Sequence, residues 1–144
     1  EEGEILPKIK ISESPEKINN PGYKQIIRIR DKEKGMMEAD LITLDNEEID
    51  TDQPLTIFHP VYTWKKHTFT SYTIEKLLNP LFVDGKLVRE KKTTAEYKKY
   101  VDDQKSKLWE QYKRLSNPEV YKVDLSEKLW NLKQDMINNE KKKY

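Results

Sequence analysis

The sequence predicts an α+β domain, with antiparallel strands in the first two-thirds followed by two helices packed on the sheet. Three observations carry that expectation. Apolar residues alternate with period two in the front half: over 25–30, Ile27 and Ile29 face one way and Ile26, Arg28 and Arg30 the other. The breaks between such runs carry hairpin turn chemistry. Beyond residue 92 the period becomes helical, and strands before helices mark α+β rather than alternating α/β. The 144 residues are read as a single domain, 1–144, β-rich over 7–90 and helical over 93–139.

Residues 8–12 alternate polar and apolar, which predicts a first strand with Ile9 and Ile11 on one face. A loop over 13–22 follows, where Pro21 fixes φ and Gly22 accepts the positive φ of a type II turn. The strand over 25–30 returns through a five-residue loop, 31–35, with Gly35 in the left-handed position, to a strand over 36–44. The stretch 45–52 is too acidic to be buried and reads as a surface connection. Residues 55–64 are rich in β-branched and aromatic side chains, although Pro60 removes a ladder donor and marks an edge or bulge. A further strand is expected over 68–78, ending in a short helical turn, and Asp84-Gly85 predicts a tight hairpin within 82–88.

Thr93 and Glu96 form a capping-box pattern. Behind them Tyr97, Val101, Gln104, Leu108, Tyr112 and Leu115 keep helical spacing until Asn117-Pro118 stops the helix. A second helix is expected from Asp124, with Leu125, Leu129, Leu132 and Met136 as its stripe, ending at Asn138-Asn139 and fraying over 140–144.

Composition sets further bounds. Lys and Arg number 27 against 26 Asp and Glu, the formal net charge is +1, and the mean hydropathy is −0.98. Leu, Ile, Val and Phe supply 34 of 144 residues, just above the ~20% level at which disorder is expected. Eight Tyr and three Trp restore apolar area. A folded but thinly stocked domain follows, one that gains stability from a neighbour. Absence of cysteine excludes disulfides, a thiolate nucleophile and Cys-based zinc. No apolar run approaches ~18 residues and no signal-peptide segment opens the chain, so no membrane partner is expected. Near-neutral charge argues against nucleic acid as a partner. An opening Glu1 in place of Met suggests a processed chain or a piece of a longer one.

The search for chemistry returns no complete catalytic constellation and no metal site. His59 and His67 stand eight apart without an HExxH pattern and read as structural. The glycines are widely separated, so no phosphate cradle forms, and no Gly-x-Ser-x-Gly elbow is present. Glu47-Glu48 and Asp102-Asp103 read as solvated pairs. Trp64 beside Lys65, Lys66 and His67 could stack a base or hold phosphate, but the favoured reading has Trp64 packed inward and the lysines wet. Lys10, Lys17, Lys24 and Arg28 form a basic set around the Asn-Pro-Gly turn, open to reading as a solvated face or as an anion site. The run Lys141-Lys142-Lys143 is too short to serve as a localisation or lipid signal. A free-standing protein-interaction module without catalysis is compatible with these residues.

Pro7-Lys8-Ile9-Lys10-Ile11-Ser12-Glu13, followed by Pro15-Glu16-Lys17-Ile18-Asn19-Asn20-Pro21-Gly22, resembles the segment after the barrel core of bacterial nicotinate phosphoribosyltransferases. The likeness continues through Arg28, the 31–35 hairpin, Ala39-Asp40-Leu41-Ile42, the distinctive stretch 54–65 and the stretch 121–129, in the same order from about Pro7 to Gln134. Ser14, Asn19 and Ile27 depart from the usual Asn, Thr and Tyr. The resemblance implies a carboxy-terminal piece of a cytoplasmic, generally dimeric enzyme. That enzyme joins nicotinate to phosphoribosyl pyrophosphate, with ATP hydrolysed through a phosphohistidine and Mg as the expected metal. It further implies that the phosphohistidine and the main phosphate loops lie in the barrel, so that neither His59 nor His67 takes that role and no cofactor is bound here. The partners implied are the barrel and amino-terminal portions of the same enzyme. Lys10, Ser12, Lys17, Pro21, Gly22 and Arg28 form the family signature, expected to be architectural, with Lys17 or Arg28 as the alternative source of charge near the phosphate-rich site.

Overall fold

The two longest strands alternate buried and half-buried side chains, which gives each of them a dry face. The computed structural model describes residues 6–142; the readings that fall on Glu1, Lys143 and Tyr144 lie outside these residues. In chain order the strands are β1 (Lys24–Asp31), β2 (Met37–Leu44), β3 (Leu55–Phe58), β4 (Lys66–Phe69), β5 (Tyr72–Lys76), the short pair β6 (Phe82–Val83) and β7 (Lys86–Leu87), and β8 (Lys122–Leu125). The helices are α1 (Thr94–Ser106), α2 (Glu110–Lys113) and α3 (Glu127–Lys141), with one 3-10 turn at Pro15–Lys17.

β1 and β2 form the expected hairpin, with Ile27 opposite Leu41 and Ile29 opposite Ala39. The Asp31 carboxylate accepts from the Glu33 and Lys34 N–H groups, and Gly35 closes the loop at φ 68°. Six strands join in the order β4-β3-β8-β2-β1-β5, antiparallel except where β8 runs parallel to β2. The edge strands β4 and β5 are separated in sequence only by Thr70-Ser71, so the sheet must curl until its edges approach. Inside the curl lie Ile27, Ile29, Ala39, Leu41, Ile57 and Tyr72, all buried. The Tyr72 hydroxyl donates to the carbonyls of Asp50 (3.0 Å) and Gln53 (2.9 Å), which draws the acidic connection over this core.

The opposite face receives α3, which buries Leu129 and Ile137 and sets the Trp130 ring 5.5 Å from that of Phe58. α1 has its full capping box at Thr93 and Glu96 but buries none of its residues. The Asp84-Gly85 hairpin forms as expected, with both residues at positive φ.

The α+β class holds, with corrections along the chain. Residues 8–12 form no strand, because the Lys10 N–H is taken by the Asn19 side chain rather than by a neighbouring ladder. The strand from Leu55 stops at Phe58, where His59 Nδ1 accepts from the Val61 (3.1 Å) and Tyr62 (3.0 Å) N–H groups and winds the chain into a turn. The stretch 68–78 splits between the two edges of the sheet. It ends extended rather than helical, since Gln25 bonds both the N–H and the C=O of Leu78.

The long helix breaks after Ser106. The Met37 N–H donates to the Lys107 carbonyl at 2.8 Å and Leu108 bridges to Met37, so pairing with the start of β2 replaces helical bonds. Asp124 and Leu125 lie in β8, and the helix starts only at Glu127, capped by Ser126 Oγ accepting from the Leu129 N–H. Its buried stripe is Leu129, Lys133 and Ile137, and it continues through Asn138-Asn139 to Lys141. Strand β8 therefore falls inside the part expected to be helical.

Candidate functional site

The signature segment is held by amine-to-carbonyl bonds. Pro21 is fully buried, and Gly22 adopts φ 87°, where a Cβ would stand 2.8 Å from Leu44 Cδ2. Only glycine meets both demands without strain. Lys24 folds back so that its Nζ donates to the carbonyls of Asn20 (2.9 Å) and Gly22 (2.6 Å).

Lys133 does more, although sequence reasoning passed over it. It is 3% exposed, and its Nζ donates to Asn20 Oδ1 at 2.9 Å, the Pro60 carbonyl at 3.1 Å and the Ile18 carbonyl at 3.4 Å. An ammonium offers three donors, and three oxygens take them. Burial pushes the Lys133 pKa down from its ordinary value. One side chain on α3 thus ties together two stretches of the resemblance, 18–22 and 54–65. Its spacing of four from both Leu129 and Ile137 was the available signal, but a lysine in an apolar stripe normally reads as a gap in it.

Arg28 has a different neighbourhood. Its Nε and Nη2 donate to Asp40 Oδ1 (2.9 Å) and Oδ2 (3.0 Å), and the Tyr121 hydroxyl donates to Asp40 Oδ1 at 3.1 Å. The Asp40 bond raises the Arg28 pKa, while burial beside Asp40 raises that of Tyr121. Both groups stay protonated at neutral pH, and the Arg28 cation is paired with Asp40. A cavity of about 470 Å³ adjoins it, lined in part by Tyr100, Leu108 and Tyr112.

The remaining signature residues serve local geometry. Ser12 Oγ accepts from the Ser14 N–H at 3.2 Å, and Lys10 contributes its backbone N–H to Asn19. Lys17 closes the 3-10 turn through its backbone and is exposed. The structure therefore does not gather Lys10, Lys17, Lys24 and Arg28 around a common anion; Lys24 and Arg28 are committed to different partners.

Two other readings change. Glu47 is no solvated carboxylate, since its Oε1 accepts from Ser126 Oγ at 2.6 Å and the Leu44 N–H at 2.7 Å, joining β2 to the cap of α3. Trp64 is 75% exposed rather than packed inward, because the turn after His59 carries it outward beside Tyr62. His67 stands edge-on to Phe69 at 4.5 Å. Among the described residues no three His, Cys, Asp or Glu side chains are grouped to hold a metal ion, and no helix is long and apolar enough to cross a membrane.

A curled six-stranded sheet, backed by α3 and tied through Lys133 to residues 18, 20 and 60, defines an α+β domain. Residues 23–133 match the family model described as the nicotinate phosphoribosyltransferase C-terminal domain, and the chain belongs to that family. The nicotinate phosphoribosyltransferase of Bacillus subtilis is 38% identical over 141 residues, which cover 98% of this chain and 29% of that relative. The Caenorhabditis elegans protein of that name is 35% identical over 126 residues, 86% of this chain and 22% of its own length. The crystal structure of human nicotinic acid phosphoribosyltransferase superposes with a TM-score of 0.72 at 25% identity, covering 81% of this chain and 23% of that one. The chain spans less than a third of the length of these relatives.

Proposed function

We propose that this domain is the carboxy-terminal scaffold of a cytoplasmic, homodimeric nicotinate phosphoribosyltransferase. The parent joins nicotinate to phosphoribosyl pyrophosphate, releasing nicotinate mononucleotide and pyrophosphate, with ATP hydrolysis coupled to the step. It serves salvage of the pyridine ring into NAD. The domain contributes no catalytic group; its partners are the barrel and amino-terminal portions of the parent.

The observation that carries this reading is the three-way bond of Lys133 to residues 18, 20 and 60. Lys133, a deeply buried cation of α3, is consumed in holding the signature segment and residue 60 to that helix. Phosphoribosyl transfer needs convergent donors and cations aimed at phosphate oxygens. The described residues do not fit Mg, since no three His, Cys, Asp or Glu side chains are grouped among them. In this reading Mg and ATP bind to other parts of the parent. Lys17 and Arg28 remain as the alternative source of charge toward the phosphates; Lys17, exposed on the signature, is the better placed of the two.

The test is kinetic. The purified parent should form nicotinate mononucleotide from nicotinate and phosphoribosyl pyrophosphate, faster with ATP. Lys133→Met should lower the yield of folded parent while leaving kcat/KM per folded molecule unchanged. A fall in kcat/KM at unchanged stability would overturn the scaffold role.

A further inference from the structure

The sheet is open on one side of β8. Strand β3 meets β8 at a single pair, Phe58 with Leu125, because the chain turns away at His59. The His59 N–H is already taken by the Lys65 carbonyl at 3.0 Å. The other side of β8 is full, paired with β2 from Ala39–Lys122 to Ile42–Leu125. In a parallel ladder, successive residues turn their backbone groups to alternate sides. The Ser126 N–H donates to the Ile42 carbonyl, so Ser126 and Asp124 address β2. Val123, like Leu125, addresses the opposite side, and there β3 has already ended. The Val123 N–H and C=O thus face a gap that no strand fills among the described residues.

That gap is a groove of about 640 Å³. Its lining combines apolar surface with positive charge: Trp64 and Val120 are 75% and 92% exposed, and Lys65, Lys66 and Lys122 supply cations against one carboxylate, Asp124, which is 4% exposed. His59 and His67 complete the wall. Lys65 is partly engaged already, its Nζ lying 4.7 Å from the centre of the Tyr62 ring.

We infer that this open edge of β8 receives an extended acidic segment of the parent polypeptide, laid against Val123 as an added strand. An unpaired strand edge recruits backbone donors and acceptors from another extended segment. The three lysines select carboxylates on the incoming strand, while Trp64, Val120 and Val123 cover its apolar positions. A single-stranded nucleic acid would use the lysines and the Trp64 ring but leave the Val123 amide and carbonyl unpaired, which favours a peptide. The source rests on the reading under Proposed function: this chain covers at most 29% of its curated relatives, so most of the parent polypeptide lies elsewhere.

Two measurements test it. The 144-residue chain is titrated with a dye-labelled octapeptide of alternating Glu and Val. Controls are a Lys-Val octapeptide, a version with Pro in place of the central Val residues, and an oligothymidylate of equal charge. Saturable binding of the Glu-Val peptide is expected, weakened at least tenfold by the Pro version and by Lys65→Glu/Lys66→Glu in the chain. Lys122→Glu should weaken it as well, with the fold of each variant checked by circular dichroism. Absence of saturable binding, indifference to Pro, or tighter binding of the oligothymidylate would overturn the inference. Hydrogen exchange then tests the source, since the Val123 amide should exchange at least tenfold more slowly in the parent than in the isolated chain. Equal rates would overturn the assignment to the parent, whereas failure of the parent to make nicotinate mononucleotide would leave the peptide result standing.

Discussion

Lys133 Nζ lies 2.9 Å from Asn20 Oδ1, across 113 residues of sequence. The bond places the signature turn against α3, and the same amine reaches the Pro60 carbonyl beside the end of β3.

Replacing this lysine by methionine keeps the stem and removes three donors. The Ile18 and Pro60 carbonyls and the Asn20 amide oxygen would lose their partner, at a cost of about 2–3 kcal/mol. Urea unfolding of Lys133→Met should show it. In a cycle with Asn20→Ala the two costs should fall short of additivity by more than about 0.5 kcal/mol, as expected for groups in contact. Strict additivity would deny the bond its role.

Gly22→Ala should destabilise on two counts. The backbone sits at φ 87°, and the new Cβ would press on Leu44 Cδ2. A cost of about 1–3 kcal/mol is expected, read as a Tm lower by several degrees. Gly35→Ala provides the comparison: φ is 68° but nothing lies within 4 Å of the added Cβ. Its loss should be the smaller.

Asp124 sets a pH dependence. Burial raises its pKa above the ordinary 3.8, with His59, Lys122 and His67 opposing the shift. In the window between 3.8 and the raised value the folded chain binds more protons than the unfolded one, so stability falls as pH rises. The unfolding free energy of the natural chain, minus that of Asp124→Asn, should therefore grow as pH is lowered from 7 toward 3.8. A difference that shrinks on acidification would contradict the burial argument.

Tyr121→Phe removes one bond to Asp40 and should cost about 1 kcal/mol. Arg28→Ala leaves the Asp40 carboxylate, 15% exposed, without its cation. Its cost should be the larger, about 2–3 kcal/mol after allowance for partial exposure. Denaturant midpoints of the two variants give the order directly.

The parts of the fold legible in the sequence were those fixed locally. The Asp84-Gly85 turn, the 31–35 loop and the Thr93–Glu96 cap all depend on neighbouring residues, and each formed as expected. Asp124 and Leu125 illustrate the other kind: they read as the first turn of a helix, and only the free edge of β2 makes them part of a strand. Tertiary pairing likewise broke the apolar spacing of 97–115, where the Met37 N–H competes for the Lys107 carbonyl. The site was legible through Gly22 and Pro21, whose residue types announce their backbone role. Lys133 was not, because burial of an ammonium depends on three oxygens that the chain brings together from residues 18, 20 and 60.

The most direct measurement incubates the purified 144-residue chain with nicotinate, phosphoribosyl pyrophosphate, ATP and Mg, and follows nicotinate mononucleotide and released phosphate by chromatography. A scaffold in which Lys24, Arg28 and Lys133 are committed to internal carbonyls and a carboxylate should yield neither product above the protein-free blank. Turnover that scales with the concentration of this chain would contradict it.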